Sequence, residues 1–453
     1  MKNIEWRVLL LVFVFLVPGL SLASSKEGRR TPLVVAVEKA APAVVNIYTE
    51  EATPASPFRN FGDSPFDQFF KDFFPPTNPN RRSLGSGVII NSEGYILTNE
   101  HVVARAARIK VTLIDKREFS AHLIGADIRS DLAIIKIDTK EPLPHIAMGR
   151  SDDLMIGETV LAIGNPYGLQ NTVTTGIISA LNRTIRAREN LVYQDFIQVD
   201  ASINPGNSGG PLLNIDGELI GINAAIYQNA EGIGFAIPIE KAQRIVNDLI
   251  QYGKVRRGWV GILAQDIDAN LARHYRLDQP GVLVTKVFKG SPAATAGIKQ
   301  GDVILTLDNH SVINKSDYLQ RLATYTVDNA IEFEILREGV KKNAKVTISS
   351  VPPQYMAEFT RNWLGFGVKQ ITPELIGRYK LATDKGVLIV DVDPGGVGGR
   401  IGIGPGDVIR QVNQSAVNSE EDFNKVIFDA ATRSTVLLLI QRGRHGYYVT
   451  LEP

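Results

Sequence analysis

The chain of 453 residues contains no cysteine, which narrows the chemistry that it can perform. The absence excludes disulfides, thiolate metal sites and a cysteine nucleophile. The chain also has little excess charge, because 49 basic residues stand against 48 acidic ones, and it therefore lacks the basic field that nucleic-acid binding requires. Its histidines and carboxylates form no closely spaced set, so we expect neither a metal nor another cofactor.

Long apolar runs are scarce as well, and the run at the amino terminus is short. It covers residues 8–16, follows Lys2 and Arg7, and precedes small residues at 21–25. This layout is typical of a secretory signal and predicts a signal peptide over residues 1–23, with export to the periplasm. The alternative is an uncleaved anchor, although a spanning helix needs about 20 apolar residues. We expect membrane association to be peripheral at most.

Short segments rich in branched apolar residues, separated by Gly and Asn, follow one another over residues 88–164. This pattern is typical of an all-β barrel or sandwich. The next clear signal is a helix that begins after Pro238, carries its apolar residues on one face and stops at Gly253. A Phe-rich, Pro-rich stretch over residues 50–82 predicts a long loop for regulation or assembly, or else a disordered insertion.

The last two hundred residues contain two copies of one module. Trp259-Val260-Gly261-Ile262 corresponds to Trp363-Leu364-Gly365-Phe366, and a G-D-V-I segment recurs at positions 301 and 406. A repeat of about a hundred residues is too long for a solenoid and indicates tandem domains that each fold alone. The Pro352-Pro353 pair falls in the predicted linker.

The segment G-N-S-G-G at 206–210 suits a nucleophilic serine, because a tight glycine turn exposes the hydroxyl and aims amide groups at a developing oxyanion. It also fits the G-x-S-x-G elbow of α/β-hydrolases. That fold needs a histidine after the serine, and the later histidines lie inside the repeated modules. The order His101, Asp131, Ser208 instead matches the chymotrypsin arrangement.

Three blocks carry a resemblance to a known family: G-Y-I-L-T-N-E-H-V-V at 94–103, R-S-D-L-A-I-I-K at 129–136 and D-A-S-I-N-P-G-N-S-G-G-P at 200–211. They are similar to the signature blocks of the HtrA (Deg) protease family, and the two-module tail resembles its DegP and DegQ branch. The resemblance implies a mainly β protein, in which a chymotrypsin-like double β-barrel precedes two PDZ-like α+β domains. It also implies His101 as general base, Asp131 as its orienting group, Ser208 as nucleophile, and an oxyanion hole at Gly206, Asn207 and Ser208.

The activity that this resemblance implies is ATP-independent serine endopeptidase cleavage of unfolded or misfolded envelope proteins, with some relatives also acting as chaperones. It further implies homotrimers or larger cages. The rival classes are a non-catalytic holdase or scaffold and an esterase. The expected boundaries are a signal peptide at 1–23, a protease domain at 31–254 with its Phe-rich loop at 50–82, and PDZ domains at 255–352 and 360–453.

The primary specificity pocket is expected to be apolar. Ser202 stands six residues before Ser208, where trypsin-like sites that select basic residues have an aspartate. The pocket would be completed by Ile203 and by three residues of a following strand, Ile222, Ala224 and Ile226. We therefore expect cleavage after small apolar residues such as Val or Ala.

The remaining sites concern regulation. In the first PDZ-like module, the amides of Trp259, Val260, Gly261 and Ile262 are expected to hold a peptide carboxylate, with Arg256 or Arg257 adding charge. Arg183, in the polar loop before the serine strand, is a candidate relay from this module, unless that loop is only a solvated charge run. We expect Asp115, Asp127 and Asp138 to be turn or surface carboxylates.

Overall fold

The computed structural model describes residues 26–51, 82–104, 106–164, 172–188, 191–204, 206–226, 232–413, 415–430 and 436–451. The predicted signal peptide and nearly all of the predicted Phe-rich loop lie outside these residues. Within the described part of the chain, none of the helices has the length and apolar character needed to cross a membrane.

Six antiparallel strands close the first barrel in the order β1-β2-β3-β6-β5-β4. Branched side chains such as Val45, Ile47, Ile96 and Ile134 are fully or almost fully buried, which satisfies the expectation of a β-rich core. Helix α1 (Pro32–Ala40) precedes the barrel, and Thr31 caps it. The strands are β1 (Val44–Glu51), β2 (Arg82–Ile89), β3 (Tyr95–Thr98), β4 (Ala106–Thr112), β5 (Glu118–Asp127) and β6 (Leu132–Ile137).

Six further strands close the second barrel in the order β10-β11-β12-β9-β8-β7. Strands β8 and β9 form a long hairpin, and Gln194 of β9 contacts Asp317 of the first repeated module. The strands are β7 (Thr159–Gly164), β8 (Thr172–Arg188), β9 (Leu191–Val199), β10 (Pro211–Leu213), β11 (Leu219–Ile226) and β12 (Gly234–Pro238).

Two helices complete the double barrel, α2 (Glu100–Val103) after β3 and α3 (Ile239–Tyr252) after β12. Helix α3 buries Ile239, Ala242 and Leu249 in a core shared with both barrels, and it ends at Gly253 with φ 69°, as predicted. Full burial of each leucine or isoleucine contributes roughly 1.5–3 kcal/mol. The helix therefore fixes the two barrels relative to each other.

The two repeated modules have the same sheet topology, β13-β14-β15-β17-β18 in the first and β19-β20-β21-β23-β24 in the second. Each carries a short extra strand and a helix beside its first strand, and each has its own apolar core. The first contains β13 (Ile262–Asp266), α4 (Ala269–Tyr275), β14 (Val282–Val287), α5 (Pro292–Thr295), β15 (Val303–Leu307), β16 (His310–Ser311), α6 (Lys315–Leu322), β17 (Ala330–Arg337) and β18 (Val340–Thr347).

Helix α7 (Pro353–Leu364) joins the modules and ends at Gly365. The proline pair of the predicted linker begins this helix, which runs through Trp363 and ends where Gly365 has φ 78°. Pro353 suits the first helical position, where no amide is needed. The second module continues with β19 (Phe366–Gln370), α8 (Pro373–Tyr379), β20 (Val387–Val392), α9 (Val397–Arg400), β21 (Val408–Val412), β22 (Ser415–Ala416), α10 (Glu420–Ala430), β23 (Val436–Arg442) and β24 (His445–Leu451).

Candidate active site

His101 and Asp131 meet at the end of the first barrel. The His101 Nδ1 atom lies 2.8 and 2.9 Å from the two carboxylate oxygens of Asp131, and the His101 amide donates to the same carboxylate at 3.1 Å. Asp131 is 1% exposed, has φ 53°, and is held by the Asn99 side chain, which donates to its carbonyl at 2.8 Å. A carboxylate at Nδ1 selects the tautomer in which Nδ1 carries the hydrogen and Nε2 can accept a proton.

Ser208 lies on a tight loop, residues 206–210, which we call the serine loop. A Cβ on Gly209 would lie 2.2 Å from the Thr98 hydroxyl, and a Cβ on Gly210 would lie 2.3 Å from the Ile163 carbonyl. Only glycine fits at these two positions. The Gly209 amide donates to the Asn223 carbonyl at 2.8 Å, which anchors the loop to β11.

The serine loop is also held from the first barrel. The Ser86 amide in β2 donates to the Ser208 carbonyl at 2.8 Å, and the Ser86 hydroxyl donates to the Gly206 carbonyl at 2.6 Å. The Ser208 hydroxyl donates to the Ala224 carbonyl at 3.4 Å. The predicted nucleophile therefore lies at the junction of the barrels, which also bears His101 and Asp131.

Two amides of the serine loop are available for an oxyanion. Among the described residues, the amides of Gly206 and Ser208 have no acceptor. The Asn207 amide donates to the Asn204 carbonyl at 2.9 Å, and its side-chain nitrogen lies 3.4 Å from the Ser202 carbonyl. The structure thus narrows the predicted oxyanion set to Gly206 and Ser208, because both nitrogen atoms of Asn207 already have acceptors.

The predicted pocket residues have different surroundings. Ser202 is exposed, whereas Ile203 is buried, and a Cβ on Gly234 would lie 2.6 Å from the Ile203 side chain. Ile222 and Ala224 are fully buried in the core shared by the two barrels. Ile222 therefore contributes to packing, while the Ala224 carbonyl contacts Ser208; the Ile226 side chain lies outside the described residues.

The family comparisons agree with this architecture. The trypsin-like peptidase domain family matches residues 85–222, and the PDZ domain family matches residues 258–348 and 363–452. A protein of Halomonas elongata named probable periplasmic serine endoprotease DegP-like is 40% identical over 442 residues, which cover 92% of each chain. This chain belongs to the HtrA family of serine endoproteases.

Other HtrA relatives are similarly close. A Pseudomonas putida protein with the same name is 38% identical over 464 residues, which cover 96% of this chain and 95% of the relative. The solved structure of the HtrA-type protease AlgW with a tripeptide is 40% identical and has a TM-score of 0.50. The match covers 71% of this chain and 98% of AlgW. Membership of the HtrA family confirms the predicted fold class, a chymotrypsin-like double barrel followed by PDZ domains.

The first PDZ domain of this HtrA protease has unpaired amides where a carboxylate was expected. Within the described chain, the amides of Val260 and Gly261 have no acceptor. Gly261 has φ 79°, and a Cβ there would lie 2.2 Å from the Ser291 side chain. Ile262 begins β13 beside them. Trp259 is not a free donor, since its amide donates to the Ser349 carbonyl at 2.8 Å.

The two arginines expected to add charge beside these amides form ion pairs with the protease domain instead. Arg256 forms a 2.9 Å ion pair with Asp248 of α3, and Arg257 forms a 2.6 Å ion pair with Asp127 of β5. Asp127 was predicted to be a turn or surface carboxylate; it opens a turn and accepts from the Ser130 amide at 3.0 Å, but its side chain is only 13% exposed. Both arginines therefore join the first PDZ domain to the protease domain.

The second PDZ domain does not keep the same pair of free amides. Leu364 lies in the last turn of α7, and the Gly365 amide donates to the Arg361 carbonyl at 2.9 Å. Phe359 of α7 also contacts Phe428 of α10, with ring centroids 5.6 Å apart. The linker helix thus uses the Gly365 amide that corresponds to the Gly261 amide of the first domain.

The hairpin formed by β8 and β9 touches helix α6 of the first PDZ domain. The Gln194 side chain donates to Asp317 at 3.1 Å, and Arg321 lies 3.3 Å from Asp195. Arg183, the residue predicted to act as relay, donates instead to Gln198 within the hairpin at 2.8 Å. The sequence predicted a polar loop around Arg183, and this was wrong because Arg183 lies in strand β8. It also missed Gln194 and Asp195, although a polar pair inside an otherwise apolar strand was a visible signal.

The residues described here form no group of three or more histidines and carboxylates that could hold a metal ion.

Proposed function

We propose that His101, Asp131 and Ser208 are the catalytic triad of this HtrA protease and that it cleaves unfolded periplasmic proteins. The contact between the His101 Nδ1 atom and the Asp131 carboxylate carries the proposal. It orients an imidazole toward the junction where a glycine loop presents Ser208. The Asp131 charge then stabilises the imidazolium that forms when the histidine takes a proton.

The proposed reaction is acyl-enzyme hydrolysis. The Ser208 hydroxyl exchanges its long hydrogen bond to Ala224 for one to the His101 Nε2 atom and attacks the substrate carbonyl while Nε2 takes its proton. The amides of Gly206 and Ser208 stabilise the negative oxygen, and His101 then protonates the departing amine. Water hydrolyses the ester by the same route in reverse, which releases Ser208.

The substrate class follows from three observations. Ile203 is buried and lies against Gly234, and this apolar contact supports cleavage after Val or Ala. The free amides of Val260 and Gly261 support binding of a peptide carboxylate. The relatives' names place them in the periplasm, and the predicted signal peptide supports the same compartment for this chain.

Regulation by the first PDZ domain is proposed from the contacts of Gln194 and Asp195 with helix α6. A peptide between β13 and α6 would press on the helix that holds the hairpin, and the hairpin continues into the strand that precedes Ser208. A homotrimer, larger cages and an additional chaperone role are proposed from the family alone.

The test is digestion of a reduced, unfolded casein by the mature chain, beside Ser208→Ala and Asp131→Asn. We expect cleavage after Val and Ala in the mass spectra, none with Ser208→Ala, and a rate about 10⁴-fold lower with Asp131→Asn because the imidazole takes the wrong tautomer. Equal inertness of all three proteins with suppressed casein aggregation would favour a holdase, and turnover of esters without proteins would favour an esterase.

A further inference from the structure

Ser86, in strand β2 of the first barrel, makes two hydrogen bonds to the serine loop of the second. Its hydroxyl donates to the Gly206 carbonyl at 2.6 Å, and its amide donates to the Ser208 carbonyl at 2.8 Å. Ser86 itself is fully buried, and its own carbonyl accepts from the Thr98 hydroxyl at 2.7 Å. A single rigidly held residue thus fixes the carbonyls of both residues whose amides face the proposed oxyanion.

The bond to Gly206 matters most, because Gly206 has no side chain to restrict it. Its φ of 104° lies in a region that glycine enters without cost, so the local sequence does not select this conformation over others. The Gly206 amide and carbonyl belong to the two peptide groups that flank its Cα atom, and a fixed carbonyl restricts the rotations about that atom through which the amide could turn away from the oxyanion. The Ser86 hydroxyl therefore opposes the rotation that would remove one oxyanion donor.

The neighbouring anchors hold other parts of the loop. Asn223 of the second barrel accepts from the Gly209 amide, and the Asn207 amide donates to Asn204. Neither bond fixes the Gly206 carbonyl. Among the described residues, the bond from the Ser86 hydroxyl is the one that fixes this carbonyl. The geometry of the oxyanion donors therefore depends on how one barrel packs against the other.

We propose that Ser86 is a positioning residue for peptide hydrolysis, whose hydroxyl keeps the Gly206 amide aimed at the oxyanion. Ser86 touches neither the substrate nor the reacting atoms. The proposal rests on the proposed roles of Ser208 and of the two amides, and it goes further by naming the group that preorganises them. A donor fixed before the reaction lowers the barrier because no reorganisation is needed as charge develops.

The test compares the mature chain with Ser86→Ala on a short chromogenic peptide amide and on the corresponding peptide aldehyde. The serine hydroxyl adds to the aldehyde and places a hemiacetal oxygen in the oxyanion hole, whereas the amide substrate gives kcat for the reaction and KM as a measure of ground-state binding. We expect kcat to fall at least tenfold, because loss of a complete oxyanion donor costs about 10²–10³. The aldehyde Ki should rise by a similar factor, and KM should stay within threefold.

Thr175→Val is the matched control. Thr175 lies in β8 of the second barrel, and its hydroxyl donates to the Val160 carbonyl at 3.1 Å, so the change also removes a hydroxyl that binds a strand carbonyl. We expect this control to keep kcat and Ki within twofold of the parent. Unchanged kcat and Ki in a folded Ser86→Ala protein would overturn the proposal. A loss that only follows the folded fraction, or that raises KM as much as it lowers kcat, would also overturn it.

The same experiment separates this proposal from the proposed function. Ser208→Ala is assayed in parallel, and activity that survives in it would refute the nucleophile itself. An inactive Ser208→Ala beside a fully active Ser86→Ala would refute only the positioning role.

Discussion

The ion pair between Asp127 and Arg257 should hold the first PDZ domain against the first barrel. The two groups lie 2.6 Å apart, and their side chains are only 13% and 10% exposed. Arg257 also donates to the Ala323 carbonyl at the end of α6, and Asp127 accepts from the amide and hydroxyl of Ser130. The pair thus joins β5 to the carboxyl-terminal end of α6, and its removal should weaken the contact between the two domains.

The expected magnitude follows from burial. Removal of one partner of a buried pair costs about 3–5 kcal/mol, because the other charge is left uncompensated. Each group here keeps a hydrogen-bond partner and slight exposure, so we expect about 3 kcal/mol for Arg257→Met and somewhat less for Asp127→Asn. The double variant should cost less than the sum, with a coupling of about 1.5 kcal/mol or more.

The assay is urea unfolding of the mature chain in a Ser208→Ala background, with the two single variants and the double variant. Free energies that add to within about 0.5 kcal/mol would refute the pairing, since uncoupled sites behave in this way. Lys110→Met with Glu118→Gln, which removes an ion pair on the exposed surface of the same barrel, provides the control and should change stability little.

The pair should also make stability depend on pH. Burial raises the pKa of Asp127, but the Arg257 charge and the Ser130 hydrogen bond outweigh it and leave the pKa below its ordinary value of 3.8. The native state therefore binds the Asp127 proton less readily than the unfolded chain does. Its contribution is fully present above about pH 4 and is lost as the pH falls through the lowered pKa, an effect that Asp127→Asn should remove.

Three further predictions concern the PDZ domains and the pocket. In calorimetry, one peptide with a free carboxylate should bind per chain, and an amidated peptide should bind at least tenfold more weakly. Gly261→Ala should abolish this binding. Two binding sites per chain would contradict the inference that the paired Gly365 amide cannot hold a carboxylate. Arg337→Ala should lower the stability of the first PDZ domain by about 2–3 kcal/mol in urea unfolding, because Asp302 is 1% exposed and loses its 2.6 Å partner; an unchanged midpoint would contradict this. Gly234→Val should suppress cleavage after Val more than after Ala in peptide kinetics, since its side chain would collide with Ile203; an unchanged ratio would refute the pocket assignment.

The sequence predicted the two repeated domains well because the residues that determine the structure of each copy lie within that copy. Gly261 and Gly365 both have positive φ, and each G-D-V-I aspartate pairs with an arginine, Asp302 with Arg337 and Asp407 with Arg442. These features are local to one domain and recur at fixed spacing. They could therefore be read from the chain without knowledge of how the domains meet.

The contacts between domains could not be predicted in the same way. Asp127 resembles any aspartate at a strand end, and Arg257 resembles a charge near a carboxylate site, until the fold brings them together. Ser86 is equally ordinary in sequence, since its partners are more than a hundred positions away on another barrel. Such pairings depend on tertiary packing, which neither spacing nor composition records.

The direction of the Asn207 amide could not be predicted from the motif either. Its position beside the serine suggested an oxyanion donor, but the conformation of the loop turns its amide toward Asn204 and its side chain toward Ser202. Backbone direction in a tight glycine loop changes from one residue to the next. The set of donors thus requires the dihedral angles as well as the motif.

The central claim is that Ser208 is a nucleophile activated by His101 and Asp131. The most direct measurement is labelling of the mature chain with a fluorophosphonate, followed by mass spectrometry of the modified peptide and comparison of labelling rates in His101→Ala and Asp131→Asn. The account predicts a single phosphonylated residue, Ser208, with labelling slowed at least a hundredfold in both variants. Labelling at another serine, or equal rates in all three proteins, would contradict it.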